Sequence, residues 1–227
     1  MKHHLFMGAA LLALSACSAQ TPTPAPVPES NSAASILDSI TPDTDLETLL
    51  QLEKEFNAKL ESQAKTLNET AAQGSKLSAA IGAAYLKNNA GLEGVVTSES
   101  GLQYKVVQAG LENGASAAPG QGIAANYHGF FINGDTFDSS YSRGRPLEGP
   151  SNGFIKGWNE ALGEMKVCEA RTLYINSDLA YGDNGRGGIP GGSTLLFHMQ
   201  LLAVQGTEEG LVYECPADKI LAGPDAY

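Results

Sequence analysis

Positive charge is scarce in these 227 residues: 14 lysines and arginines face 25 aspartates and glutamates, for a formal charge of −11. Such a chain repels a phosphate backbone, so nucleic acid is excluded as a partner. Histidine is as sparse. His3 and His4 lie in the leading segment, which leaves His128 and His198 for the rest. No metal-ligand spacing and no Gly-rich phosphate loop stands out, so neither a metal nor a cofactor is expected. The serines lack a nucleophile-elbow setting. His128 alternates with Tyr127, and His198 with Phe197, so each histidine is expected on the strand face away from its aromatic neighbour, toward solvent. The apolar run Leu5–Leu14 falls short of the roughly 20 residues that a membrane-spanning helix needs. No internal repeat is visible.

What is present divides the chain into five parts. Residues 1–16, with Lys2 ahead of the apolar run, read as an export signal. Leu14-Ser15-Ala16-Cys17 resembles the bacterial lipobox, in which Cys17 would be lipidated; a plain signal peptide with an incidental cysteine is the alternative. Ser18 in place of aspartate points, by resemblance, to the outer membrane. Residues 17–43 are rich in Pro, Thr, Ser and Ala and read as an extended tether. Residues 44–91 read as helical. Thr44 is the expected cap, with Asp45 and Glu47 in the first turn. Leu46, Leu49, Phe56, Leu60 and Leu67 fall near a heptad seam, with Leu50 beside it. Gly74 is expected to break this helix, and a second is expected from Lys76 to Asn89. The seam must be buried, either against a second copy of the chain or against the second helix.

Residues 92–205 change character, and 206–227 form a tail. Apolar–polar alternation marks a strand near 101–110, and strands are expected also near 122–132, 135–138, 171–176 and 193–204, with one helix near 158–164. Asn133-Gly134 between two apolar runs is a two-residue hairpin signal with both turn positions at positive φ. Antiparallel strands around one short helix make an α+β domain.

Y-H-G, F-D-S-S, R-G-R-P, F-I-K-G-W, A-Y-G, G-I-P and L-L-F then follow one another at ordered spacings. This series resembles the FKBP-type peptidyl-prolyl cis-trans isomerases, and most of all the macrophage-infectivity-potentiator class of bacterial surface lipoproteins. The resemblance implies an antiparallel half-barrel sheet wrapped on a short helix, and catalysis of X-Pro rotation in exported proteins. It implies a pocket with Trp158 as floor and Tyr127, Phe137 and Phe197 as walls. The Tyr181 hydroxyl and the Ile189 backbone N–H would hold substrate carbonyls, and Asp138 would sit at the rim with Arg143 and Tyr127. Leu147, Phe154 and Ile155 complete the matched set. The resemblance further implies a cell-envelope location, a homodimer joined by the 44–91 helices, chaperone activity, unfolded proline-containing clients and sensitivity to macrolides such as rapamycin.

Four positions depart from the family: Leu147 where Phe is frequent, Phe154 where Val is frequent, Arg186, and Gly191 after Ile189-Pro190. If Phe154 fills the pocket, the rival reading is a non-catalytic binding module. Cys168 stands where the family often has a turn glycine, and an exported, oxidising setting would let it pair with Cys215.

Overall fold

In the computed structural model, residues 40–41, 44–62, 67–206 and 212–227 are described, all within the compact unit Asn31–Tyr227. The expected signal, the Cys17 lipidation site and nearly all of the tether fall outside the described residues, as do the side chains of Leu60 and Leu67.

Alternation organises the centre. In β3 (Gly122–Phe131), Ile123, Ala125, Tyr127 and Gly129 are buried on one face, and the residues between them point the other way. The sheet runs β1 (Val95–Thr97), β2 (Gln103–Gln108), β6 (Ala170–Ile175), β7 (Leu195–Gln205), β3, β4 (Thr136–Ser139), all antiparallel; β5 (Leu147–Pro150) pairs with β3 and β8 (Val212–Glu214) with β7. A short helix, α3 (Ser140–Arg143), follows β4. The nine-residue helix α4 (Lys156–Glu164) places Trp158, Ala161 and Leu162 in one core with Leu173, Ile175, Leu195, Phe197, Met199 and Leu201. The β3–β4 hairpin exists, but its turn takes three residues. Phe131 N–H donates to the Asp135 carbonyl at 2.9 Å, and only Gly134 takes positive φ. One left-handed glycine after an ordinary turn closes the hairpin as well as the two-residue form would.

The helical region departs from expectation at two points. Asp45, not Thr44, caps α1 (Leu46–Ser62): its carboxylate accepts the Thr48 N–H at 2.9 Å and the Thr48 hydroxyl at 2.7 Å. Gly74 does not stop the next helix, α2 (Leu67–Asn89), which runs through it. A glycine inside a helix costs only about 1 kcal/mol, too little to end one. Of the two ways to bury the α1 stripe, the single chain shows the second: Leu49, Leu52 and Phe56 bury against Leu77 and Ile81 of α2.

α2 is set hard against the sheet domain. Asn89 Nδ2 donates to Gln103 Oε1 at 2.9 Å, and Gln103 Nε2 to the Leu86 carbonyl at 3.0 Å. Ser75 Oγ donates to Asp183 Oδ1 at 3.2 Å. Gly82 faces Thr194 so closely that a Cβ there would overlap the Thr194 hydroxyl.

Both histidines lie on the outer sheet face, away from their aromatic neighbours, but His198 is not open to solvent there. His198 is half-covered because residues 212–227 return across the outer sheet face: the Tyr227 ring stacks on the His198 ring at 4.7 Å and 17°. Gln200, fully buried on β7, explains the strap. Its Nε2 donates to the carbonyls of Cys168 and Lys219 at 3.2 and 2.8 Å, and its Oε1 accepts the Leu221 N–H at 2.8 Å. Without the strap a buried amide would lose most of its partners. Cys168 and Cys215, 47 positions apart, are joined by a disulfide with Cα atoms 4.9 Å apart. Cys168 adopts φ +73°, the left-handed region glycine enters without strain.

Two outcomes follow. Gly82→Val should lower the urea-unfolding stability by about 1–3 kcal/mol through overpacking; an unchanged midpoint would show that α2 is not seated as described. Burial, and then the neighbouring His128 charge, depress the His198 pKa from 6.5 to about 4. Between those values the unfolded chain binds the proton and the folded chain does not, so this contribution is complete above about pH 6.5 and is lost as pH falls toward 4. Thermal melts of His198→Gln should therefore show a flatter pH dependence across that window than the unaltered chain; identical slopes would refute it.

Candidate active site

The elements around α4 leave one large hollow of about 690 Å³ on the side of the sheet where β3, β5 and β7 converge. Trp158, on the first turn of α4 and 3% exposed, forms its floor. The Tyr127 and Phe197 rings stand edge-on to the indole at 4.9 and 5.2 Å, and Phe137 stands edge-on to Phe197 at 5.4 Å. Edge-to-face packing of this kind favours fixed walls over a collapsed cluster. Gly129 makes the closure possible, since a Cβ there would strike the rings of both Phe137 and Phe197.

The rim is charged and fully bonded. The Tyr127 hydroxyl donates to Asp138 Oδ2, Arg143 Nη1 donates to Asp138 Oδ1 in an ion pair, and Arg143 Nη2 donates to the Tyr127 hydroxyl at 2.6 Å. The Ser139 N–H also donates to Asp138 Oδ1, at 2.8 Å. A carboxylate holding these partners is an electrostatic fixture rather than a free base. Burial, followed by the hydrogen bond to Asp138, pushes the Tyr127 phenol up to about 12, so its proton stays on. Local structure delivers these groups. Ser140 Oγ accepts the Tyr127 N–H at 2.9 Å and lies 3.2 Å from the Tyr127 carbonyl, tying α3 to β3 so that Asp138 and Arg143 emerge on either side of the tie.

Of the eleven residues expected here, ten line the hollow: Tyr127, Phe137, Asp138, Leu147, Phe154, Ile155, Trp158, Tyr181, Ile189 and Phe197. Arg143 acts on it through Asp138 and Tyr127. Phe154 does not plug the space. Its ring lies 5.5 Å from the indole and leans on Gly149 of β5, whose missing side chain leaves it room. Lys156, Ala180 and the glycines at 153, 187 and 188 also line the hollow and escaped the sequence reading. They contribute backbone or an aliphatic stem, which leaves no motif to find.

One assignment needs correction. The Ile189 N–H donates to the Arg186 carbonyl at 3.0 Å, while the Arg186 N–H donates back to the Ile189 carbonyl at 2.9 Å. That amide is committed to its own turn. The Ile155 amide is the alternative. Ile155 is the N-cap of α4, so its carbonyl accepts the N–H groups of Trp158 and Asn159, both at 3.0 Å, while its own N–H makes no hydrogen bond among the described residues. Asn159 pins the approach, with Oδ1 accepting the Phe154 N–H at 3.1 Å and Nδ2 donating to the Phe154 carbonyl at 3.2 Å. The Trp158 indole N–H is likewise buried without a partner among the described residues.

No serine–histidine pair meets in the hollow. His128 and His198 lie on the far sheet face, beside Thr136 and Thr172. The site can therefore enclose, desolvate and orient an uncharged group.

Two family models match the chain: "FKBP-type peptidyl-prolyl cis-trans isomerase" over residues 114–202, and "Domain amino terminal to FKBP-type peptidyl-prolyl isomerase" over residues 27–106. The FKBP-type 22 kDa peptidyl-prolyl cis-trans isomerase of Escherichia coli is 46% identical over 127 residues, 56% of this chain and 61% of that protein. The peptidyl-prolyl cis-trans isomerase Mip of Coxiella burnetii is 43% identical over 123 residues, 54% of this chain and 53% of that protein. The chain thus spans less than two thirds of these curated relatives. The crystal structure of FkpA from Escherichia coli superposes with a TM-score of 0.58 at 34% identity, covering 77% of this chain and 76% of that one.

Ile155 has φ −62°, which proline accepts, so Ile155→Pro removes the amide donor with little backbone strain. Loss of one hydrogen bond predicts a roughly tenfold fall in kcat/KM on a proline peptide, with Ile155→Val near the unaltered rate. Equal rates for all three proteins would return the role to another donor.

Proposed function

The chain belongs to the FKBP-type peptidyl-prolyl cis-trans isomerase family, and from that premise we propose that it accelerates X-Pro rotation in exported polypeptides. The observation that carries this is the aromatic hollow over Trp158, open rather than filled by Phe154. The X-Pro barrier, about 18–20 kcal/mol, is set by amide conjugation. A half-rotated amide has lost that conjugation, so its carbonyl is less polar and its nitrogen more pyramidal. An apolar enclosure favours it over the planar, better-hydrated form. The proline ring would rest on the Trp158 indole between Tyr127, Phe137 and Phe197. The Tyr181 hydroxyl and the Ile155 N–H would hold flanking carbonyls. Asp138, held by Arg143 and Tyr127, sets the field at the rim.

The remaining parts of the reading are proposals of the same kind. The leader and the lipobox-like setting of Cys17 support an envelope location with a lipid anchor at the outer membrane. The helical region supports a homodimer joined by the 44–91 helices, and a cleft between subunits would lend chaperone activity toward unfolded clients. A macrolide would compete for the hollow, with Leu147 and Phe154 reducing its fit.

The test is a proline-isomerisation assay on the full chain. The unaltered protein should accelerate turnover. Trp158→Leu with Asp138→Ala should lose at least about tenfold, since the pair removes contacts worth more than about 1.4 kcal/mol in total. No acceleration by the unaltered protein would sink the enzyme reading and favour the binding module, and unchanged turnover in the double variant would take the reaction away from this hollow.

A further inference from the structure

A second hollow, of about 260 Å³, lies where α1 and α2 meet the β3–β4 turn and the loop ahead of β7. Leu50, Ile81 and Phe131 give it apolar walls, while Glu53 and Asp135 are its charged residues; among the described residues no cation lines it. Gly188 belongs to the walls of both hollows, so the two open against the same stretch of loop. Glu53 has no hydrogen bond or ion pair recorded among the described residues, and its half-burial pushes its carboxyl pKa upward through desolvation alone. Asp135 accepts the Asn133 Nδ2–H at 2.9 Å and is otherwise exposed.

A carboxylate half-withdrawn from water without a counter-charge is unfavourable, and an incoming cation removes that cost. Apolar walls with carboxylates at the edge suit a side chain with an aliphatic stem and a cationic head. The net charge of −11 adds long-range attraction for such a chain. We propose that this second hollow is an extended substrate subsite that takes a lysine or arginine side chain of a polypeptide whose proline occupies the aromatic hollow. The subsite rests on the isomerase reading for its link to turnover. It makes the helical region part of substrate selection, because Glu53, Leu50 and Ile81 come from α1 and α2.

The test uses labelled peptides with one central proline and a lysine placed at each flanking position in turn, against norleucine counterparts, binding to the full chain by fluorescence anisotropy. At one offset the lysine peptide should bind about tenfold more tightly than its counterpart. The advantage should shrink at raised salt and disappear in Glu53→Gln with Asp135→Asn. That variant should turn over a cation-free proline tetrapeptide at the unaltered rate and melt no lower than the unaltered chain. Equal binding of lysine and norleucine peptides at every offset, or an advantage that survives the double substitution, overturns the subsite. Absent tetrapeptide turnover with the lysine preference intact overturns the isomerase reading and leaves the subsite standing.

Discussion

Trp158 has to be buried, and almost everything else in the domain follows from how that is done. An indole offers more apolar area than any other side chain, so removing it from water favours a site where several strands converge. One turn of helix carries it there. Asn159 ties that turn to the preceding loop, and Gly157 lets the helix approach Ile175, whose side chain a Cβ would strike. The Tyr127 and Phe197 rings meet the indole edge-on, and together with it they bound the apolar hollow. That hollow, rather than any ionisable pair, is what the domain offers to a ligand.

Charge is used around this surface as scaffolding. Asp138 binds Arg143, Tyr127 and its own next amide, so the acid nearest the hollow is saturated before a ligand arrives. A saturated carboxylate does not move when a neutral amide enters, which keeps the field at the rim constant through rotation. The far sheet face follows the same logic. Gln200, His198 and the strap satisfy one another, and the disulfide holds the strap to the turn that leads into β6.

The loop that supplies one wall is held from both sides. Arg186 and Ile189 close it on themselves, while Ser75 and Gly82 of α2 set the segments at Asp183 and Thr194. The helical region and the catalytic-type domain therefore share a boundary at the place where substrate would lie. A change in how α2 seats would be felt by Ile189 and Gly188 through a few ångströms of backbone.

Much of this was legible in the chain alone. Period-two alternation marked β2, strand-like apolar runs marked β3, β6 and β7, and the spacing of Phe154, Trp158, Leu162 and Met165 marked α4, because such local patterns survive any tertiary context. The resemblance carried by the ordered motifs named ten of the residues that line the hollow, six of them aromatic. Three kinds of feature were not legible. Short elements such as β1, β5 and β8 carry too few residues for a period and form only because partner strands are in place. The fate of the α1 stripe, the path of Gly74 and the covering of His198 depend on which distant surface is closest. That the Ile189 amide is bonded within its turn while the Ile155 amide is not was hidden because a backbone amide has no signature in sequence; whether it is spent depends on the fold of its own loop. Side-chain chemistry and its periodicity were written along the chain. Which polar groups are already paired, and which face stays open, came from long-range packing, since pairing joins atoms that the sequence holds far apart.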